Sequence, residues 1–138
     1  MTSKNSAIPG CGFHHVAIRT ADWAATIAFY TEALGFREKI AWGEAPGRAT
    51  MLDTGDGNYL EVFEAPDYRP DPDGAIIHFA LRADDCEAAL ERARAAGAEV
   101  TVEPKDVAIP SHPVTPVRIA FCRGPEGAII EFFQNEMT

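Results

Sequence analysis

Four residues carry the chemistry that can be read in this chain: His15, Glu61, His78 and Glu131. Imidazole nitrogens and carboxylate oxygens form a mixed donor set suited to a divalent transition metal. Two carboxylate charges would offset a 2+ ion and leave the filled site neutral. Each of the four stands in an apolar stretch, where a carboxylate is costly unless it is paired or bound to a cation. Taken singly, such a histidine is more often a satisfied core or edge residue, and such a glutamate more often faces solvent. Their repetition changes that balance.

The sequence is written twice. His15-Val-Ala-Ile-Arg-Thr-Ala-Asp22 is echoed by His78-Phe-Ala-Leu-Arg-Ala-Asp-Asp85, sixty-three residues later. Gly57-Asn-Tyr-Leu-Glu61-Val-Phe63 is echoed by Gly127-Ala-Ile-Ile-Glu131-Phe-Phe133 at a spacing of seventy. The difference between the spacings falls in loop regions, which tolerate insertions. Two modules follow, residues 11–65 and 76–134, joined by a Pro- and Asp-rich linker at 66–75. A duplicated fold could keep the histidines for structural reasons, but packing alone asks for no carboxylate at 61 or 131.

Each module must supply a strand, a helix and further strands to position these residues. Phe13–Arg19 reads as a strand, and Thr20 or Asp22 can cap the helix that follows. Trp23, Ile27, Tyr30 and Leu34 recur at helical spacing, and Gly35 suits a left-handed helix end. The second helix spans about 84–96, capped by Asp84 or Asp85, and its Ala88, Leu90, Ala93 and Ala96 predict close packing on a sheet. Residues 50–53, 59–63, 100–103, 117–122 and 128–133 read as strands, whereas 43–49 and 105–116 read as loops over a cleft.

Side chains alternate across a strand, so parity sorts them by face. His15, Ala17 and Arg19 share one side, as do His78, Ala80 and Arg82. Tyr59, Glu61 and Phe63 fall together, as do Ile129, Glu131 and Phe133. The opposite faces are wholly apolar and are expected to meet the helices. Alanine beside both histidines leaves room for a ligand. Arg19 and Arg82 are either contacts for an anionic substrate or surface cations at strand ends. Arg19, Phe133 and Tyr59 are the candidate substrate contacts. His14 is expected on the helix side and His112 in a loop, neither in the site.

Net charge is −9, which repels nucleic acid, and no apolar run approaches the roughly 20 residues that span a bilayer. Met1 to Gly10 is polar and turn-rich, unlike a signal peptide, so the expected location is cytoplasmic. Cys11, Cys86 and Cys122 lack metal-site spacing and fit a reducing compartment, with Cys86 on a helix and Cys122 in a buried strand.

Ala24-Ala-Thr-Ile-Ala-Phe-Tyr-Thr-Glu-Ala-Leu-Gly-Phe36, the two histidine-headed strands and Gly-Pro-Glu-Gly127 before Glu131 resemble the vicinal oxygen chelate superfamily. That superfamily includes glyoxalase I, methylmalonyl-CoA epimerase, extradiol dioxygenases and bleomycin-binding proteins. The resemblance implies an α+β fold of tandem βαβββ modules, forming a curled, mostly antiparallel sheet around a metal cleft in a homodimer. It implies that His15, Glu61, His78 and Glu131 hold a divalent ion (Ni, Zn, Co, Mn or Fe), the ligand pattern most similar to glyoxalase I and the epimerase. The implied function is a lyase or isomerase acting on a small molecule by proton abstraction next to a carbonyl, with the enediolate stabilised on the metal and Glu131 or Glu61 as base. The alternatives are an Fe(II) dioxygenase using His15, His78 and Glu131, and a non-catalytic binding protein. Arg19 matches a glutathione-contacting arginine of glyoxalase I, but Ala65 stands where that enzyme has a glutathione-contacting asparagine.

Overall fold

The computed structural model describes residues 6, 13–74 and 76–138; Cys11 and most of Met1 to Gly10 lie outside them. The order is β1 (His15–Thr20), α1 (Trp23–Ala28), a π-helical turn (Phe29–Ala33), β2 (Arg37–Trp42), β3 (Ala49–Asp53) and β4 (Tyr59–Glu64). It repeats as β5 (Phe79–Arg82), α2 (Cys86–Ala95), β6 (Glu99–Ile109), β7 (Thr115–Arg123) and β8 (Ile129–Gln134). The fold is therefore α+β, with the βαβββ order occurring twice. Two separate four-stranded sheets result, β1-β4-β3-β2 and β5-β8-β7-β6. Both are open and only weakly curled. In each, the first strand runs parallel to the last and the other pairings are antiparallel.

Local chemistry sets the helix starts. The Asp22 carboxylate accepts the Ala25 N–H at 3.1 Å, and Asp85 accepts that of Ala88 at 3.0 Å. The first helix then widens: Leu34 N–H reaches back to the Phe29 carbonyl at 3.2 Å, closing an i→i+5 turn. That turn buries Phe29 and Tyr30 together, with Tyr30 stacked on Phe36 at 5.6 Å between ring centres. Gly35 closes it at φ 75°, a conformation that penalises any side chain.

One core spans both halves. Phe29, Tyr30, Leu52, Leu60 and Val62 cluster with Leu90, Ala93, Ala120, Cys122, Ile130 and Phe132. Polar links reinforce it: Tyr30 donates its hydroxyl to Glu126 Oε1 at 2.5 Å, and Arg92 Nε donates to the Ala33 carbonyl at 3.0 Å. Glu126 sits in the turn between β7 and β8, so tightly covered that a Cβ on Gly124 would lie 2.7 Å from its carboxylate. Its second oxygen, Oε2, has no partner among the described residues. Burial pushes the Glu126 carboxyl above the usual carboxylate range and the Tyr30 hydroxyl well above the usual phenol value. The Cys122 thiol is pushed up to about 11, chiefly by burial.

Several expectations need correction. Ala88 and Ala96 are exposed; the buried stripe of α2 is Cys86, Leu90 and Ala93. Residues 105–109 are strand rather than loop, because β6 and β7 form a long hairpin that pairs Lys105 with Ile119 and Ile109 with Thr115. Register shifts between Val100 and Lys105 disturb the alternation that would have revealed it. Strand β2 was not anticipated either, being exposed along its whole length and rich in charge.

Candidate metal centre

The parallel pairing of β1 with β4 sets Ala17 beside Glu61 and His15 beside Tyr59. Because Ala17 carries only a methyl, the His15 ring can cross the strand gap to Glu61. Its Nε2 lies 3.1 Å from Glu61 Oε2. The second sheet repeats the device, with Ala80 beside Glu131. His78, immediately before β5, places Nε2 3.0 Å from Glu131 Oε2. Glu61 is 9% exposed and Glu131 8%, while both histidines are open to solvent. Each pair thus sets a buried carboxylate beside a solvent-accessible imidazole.

Stability does not explain these pairs. A partly exposed ion pair contributes about 0–1 kcal/mol, whereas burying a carboxylate costs more than that. Burial raises the Glu131 carboxyl above its usual range, and the neighbouring His78 opposes the rise. Opposite Glu131 across the sheet lies Phe121, whose ring meets His78 edge-to-face at 5.4 Å. Opposite Glu61 lies Met51.

The donor types fit a divalent transition metal, and their number within one chain does not complete its shell. Structural and catalytic sites of such ions draw three or four protein ligands. Here each His–Glu pair supplies two, and no group of three or more His, Cys, Asp or Glu able to hold an ion occurs among the described residues. His15 comes together with Glu61, and His78 with Glu131; the two pairs do not merge.

The candidate substrate contacts line the same faces. Arg19 pairs with Phe63 in register and is exposed, as is Arg82 beside Phe133. Phe133 faces Ile119 across β7. Tyr59 is half-buried, with His14 against its ring at 5.1 Å. His14 is the neighbour that parity misplaced. Strand β1 begins at His15, so the alternation does not extend to residue 14, and the His14 ring lies with the site rather than behind it. Its Nδ1 is 3.0 Å from His15 Nδ1. The adjacent pair His14-His15 was the available signal.

Residues 12–132 match the Glyoxalase/Bleomycin resistance protein/Dioxygenase superfamily. The chain belongs to this superfamily. A probable lactoylglutathione lyase of Vibrio cholerae is 31% identical over 132 residues, covering 90% of this chain and 91% of that protein. Glyoxalase I of Zea mays superposes with a TM-score of 0.74 at 25% identity, covering 91% of this chain. This chain spans only 45% of the maize chain's length. TnmS3, an antibiotic binding protein from Streptomyces sp. CB03234, shares the fold at TM-score 0.70 and 24% identity, covering 96% of this chain and all of that one. The superfamily's description itself spans glyoxalases, resistance proteins and dioxygenases. No helix among the described residues is long and apolar enough to cross a membrane.

Proposed function

We propose that this protein is a metal-dependent lyase or isomerase of the glyoxalase/epimerase type, with His15, Glu61, His78 and Glu131 as metal ligands. The observation that carries the reading is the pair of matching His–Glu contacts, 3.1 and 3.0 Å, at equivalent positions in the two sheets. The likeness to the Vibrio cholerae protein supports the same chemistry.

Since each pair supplies half a shell, the site is completed by a second copy of the chain, which sets His15 and Glu61 of one copy against His78 and Glu131 of the other. The strands that would meet are β1 and β5, each one of the two edges of its sheet. Apolar side chains crowd their approaches: Phe13 is 88% exposed, Ile76 80% and Ile77 75%. Unpaired edges beside exposed apolar residues are surfaces that proteins ordinarily cover. The maize chain, about twice as long, is long enough to hold two such units in one polypeptide.

A bound divalent cation supplies Lewis-acid polarisation of two adjacent substrate oxygens. The chain's own residues do the rest. Arg19 and Arg82 draw an anionic group of the substrate towards the row occupied by Phe63 and Phe133. Phe133 and Tyr59 wall off water beside the reacting carbon. Glu131 takes the proton from that carbon and returns it, a role to which its buried, raised carboxyl is suited. Glu61, the second carboxylate, balances the charge. The test supplies Ni²⁺- or Zn²⁺-loaded protein in deuterated water with hemithioacetals of methylglyoxal and several thiols, and with acyl-CoA epimers. Deuterium entering at the acidic carbon with metal-dependent turnover is the expected result. Oxygen consumption without exchange, or tight binding without turnover, would overturn it.

A further inference from the structure

The two half-sites differ behind the histidine. His78 follows Ile77 and lies edge-on to Phe121, an environment with no hydrogen-bonding group among these neighbours. His15 follows His14, whose Nδ1 lies 3.0 Å from His15 Nδ1, the rings at 86° to one another. Two nitrogens at that distance share one proton between them, since a bare pair of lone pairs would repel. The far nitrogen of His15, Nε2, faces Glu61 Oε2 at 3.1 Å. A continuous chain, His14–His15–Glu61, therefore has two neutral proton registers. In one, His14 Nδ1–H donates to His15 and His15 Nε2–H donates to Glu61. In the other, His15 Nδ1–H donates to His14, and the Nε2 lone pair faces the carboxylate, a repulsion that a cation held by both removes.

Only the second register leaves Nε2 free to bind a cation, and a ligating imidazole depends on the acceptor that holds its other N–H. We propose that His14 is a positioning residue for His15: its Nδ1 accepts the His15 Nδ1–H and so fixes the tautomer in which Nε2 and Glu61 together receive a divalent cation. The inference rests on the reading of His15 and Glu61 as a metal half-site and adds to it an asymmetry. On the side away from its glutamate, one histidine meets a partner imidazole and the other the edge of Phe121. Tyr59, whose ring lies 5.1 Å from that of His14, holds His14 in place without competing for its Nδ1.

The experiment uses the full chain in its native assembly, with Zn²⁺ as the probe. His14→Phe keeps an aromatic ring against Tyr59 and removes the acceptor; His14→Asn restores an acceptor at the δ position. Zn²⁺ dissociation constants are measured for both, together with ¹⁵N imidazole shifts of the wild type before and after Zn²⁺. The expected result is an about 10-fold weaker Kd for His14→Phe, recovered by His14→Asn. In the wild type, the Zn²⁺ form should show His15 protonated at Nδ1 and His14 Nδ1 as acceptor. Wild-type affinity in His14→Phe, or no recovery in His14→Asn, overturns the role of His14 alone, provided Glu61→Gln still weakens Zn²⁺. Wild-type protein that takes up no Zn²⁺ overturns the half-site and this inference together.

Discussion

The first sheet offers a histidine backed by another imidazole and a carboxylate facing Met51; the second offers a histidine backed by a phenyl edge and a carboxylate facing Phe121. The backbone plan is the same in both, down to the alanine opposite each glutamate. The duplicated strand register thus fixes where donors stand, while the residues around them set how each donor behaves. The second half-site, with Phe121 against both its histidine and its glutamate, is the more apolar one and suits a proton-accepting carboxylate. The first is the more polar and suits a ligand pair held in a fixed tautomer.

Substitution of the two glutamates breaks this comparison most sharply. Glu131→Gln should lower turnover by about 10²–10⁴-fold, the usual contribution of a positioned base, while the protein still takes up metal. Glu61→Gln should act chiefly on metal affinity, and its turnover at saturating metal should exceed that of Glu131→Gln. Steady-state kinetics across a Ni²⁺ titration read both. Equal losses in the two variants would erase the distinction between the halves.

A smaller effect concerns the link between the halves. Tyr30→Phe removes the side-chain donor to Glu126 Oε1 and weakens the hydrogen bonding of a buried carboxyl group. Unfolding in urea should show a loss of about 1–3 kcal/mol. The pH dependence has a definite sign. The folded-state carboxyl of Glu126 is raised, so the folded protein favours its neutral form. Its contribution is full below the ordinary glutamate value and is lost as pH rises through the folded value. Glu126→Gln stays neutral and keeps an acceptor for Tyr30, so it should gain stability over wild type at pH 8 relative to pH 4. Melting curves at the two pH values check this.

Much of this was legible in the sequence because it repeats. The doubled His-x-Ala-x-Arg and Gly-x-x-x-Glu patterns put His15, Glu61, His78 and Glu131 at equivalent places in the two repeats, since strand alternation links residues two apart without knowledge of the fold, but which histidine meets which glutamate could not be read from it. What stayed hidden depended on longer-range or end effects. Strand β2, Arg37-Glu-Lys-Ile-Ala-Trp42, buries none of its residues and so carries no alternating pattern. The far end of the β6–β7 hairpin is masked by Pro110, Pro113 and Pro116, which read as loop chemistry. His14 was misassigned because parity fails one residue before a strand starts. That the two pairs stand apart within one chain is a property of sheet placement, on which spacing is silent.

The smallest effect sharpens the comparison at the thiols. Cys122, raised to about 11 by burial within β7 of the second sheet, should hold roughly one thiolate per thousand at pH 8. Native protein should resist iodoacetamide there and react on unfolding.

The central claim is that one metal shell is shared between copies, and subunit mixing tests it most directly. His15→Ala and His78→Ala chains, each purified alone, should bind no Ni²⁺ tightly. In a mixed dimer, one shell loses both histidines and the other regains its full set of four ligands. Refolding the two variants together should therefore restore about a quarter of the wild-type sites, as random pairing requires. Equilibrium dialysis counts them. Failure to recover any binding in a mixture shown to contain mixed dimers would contradict the shared site, because ligands confined to one chain stay broken in every pairing.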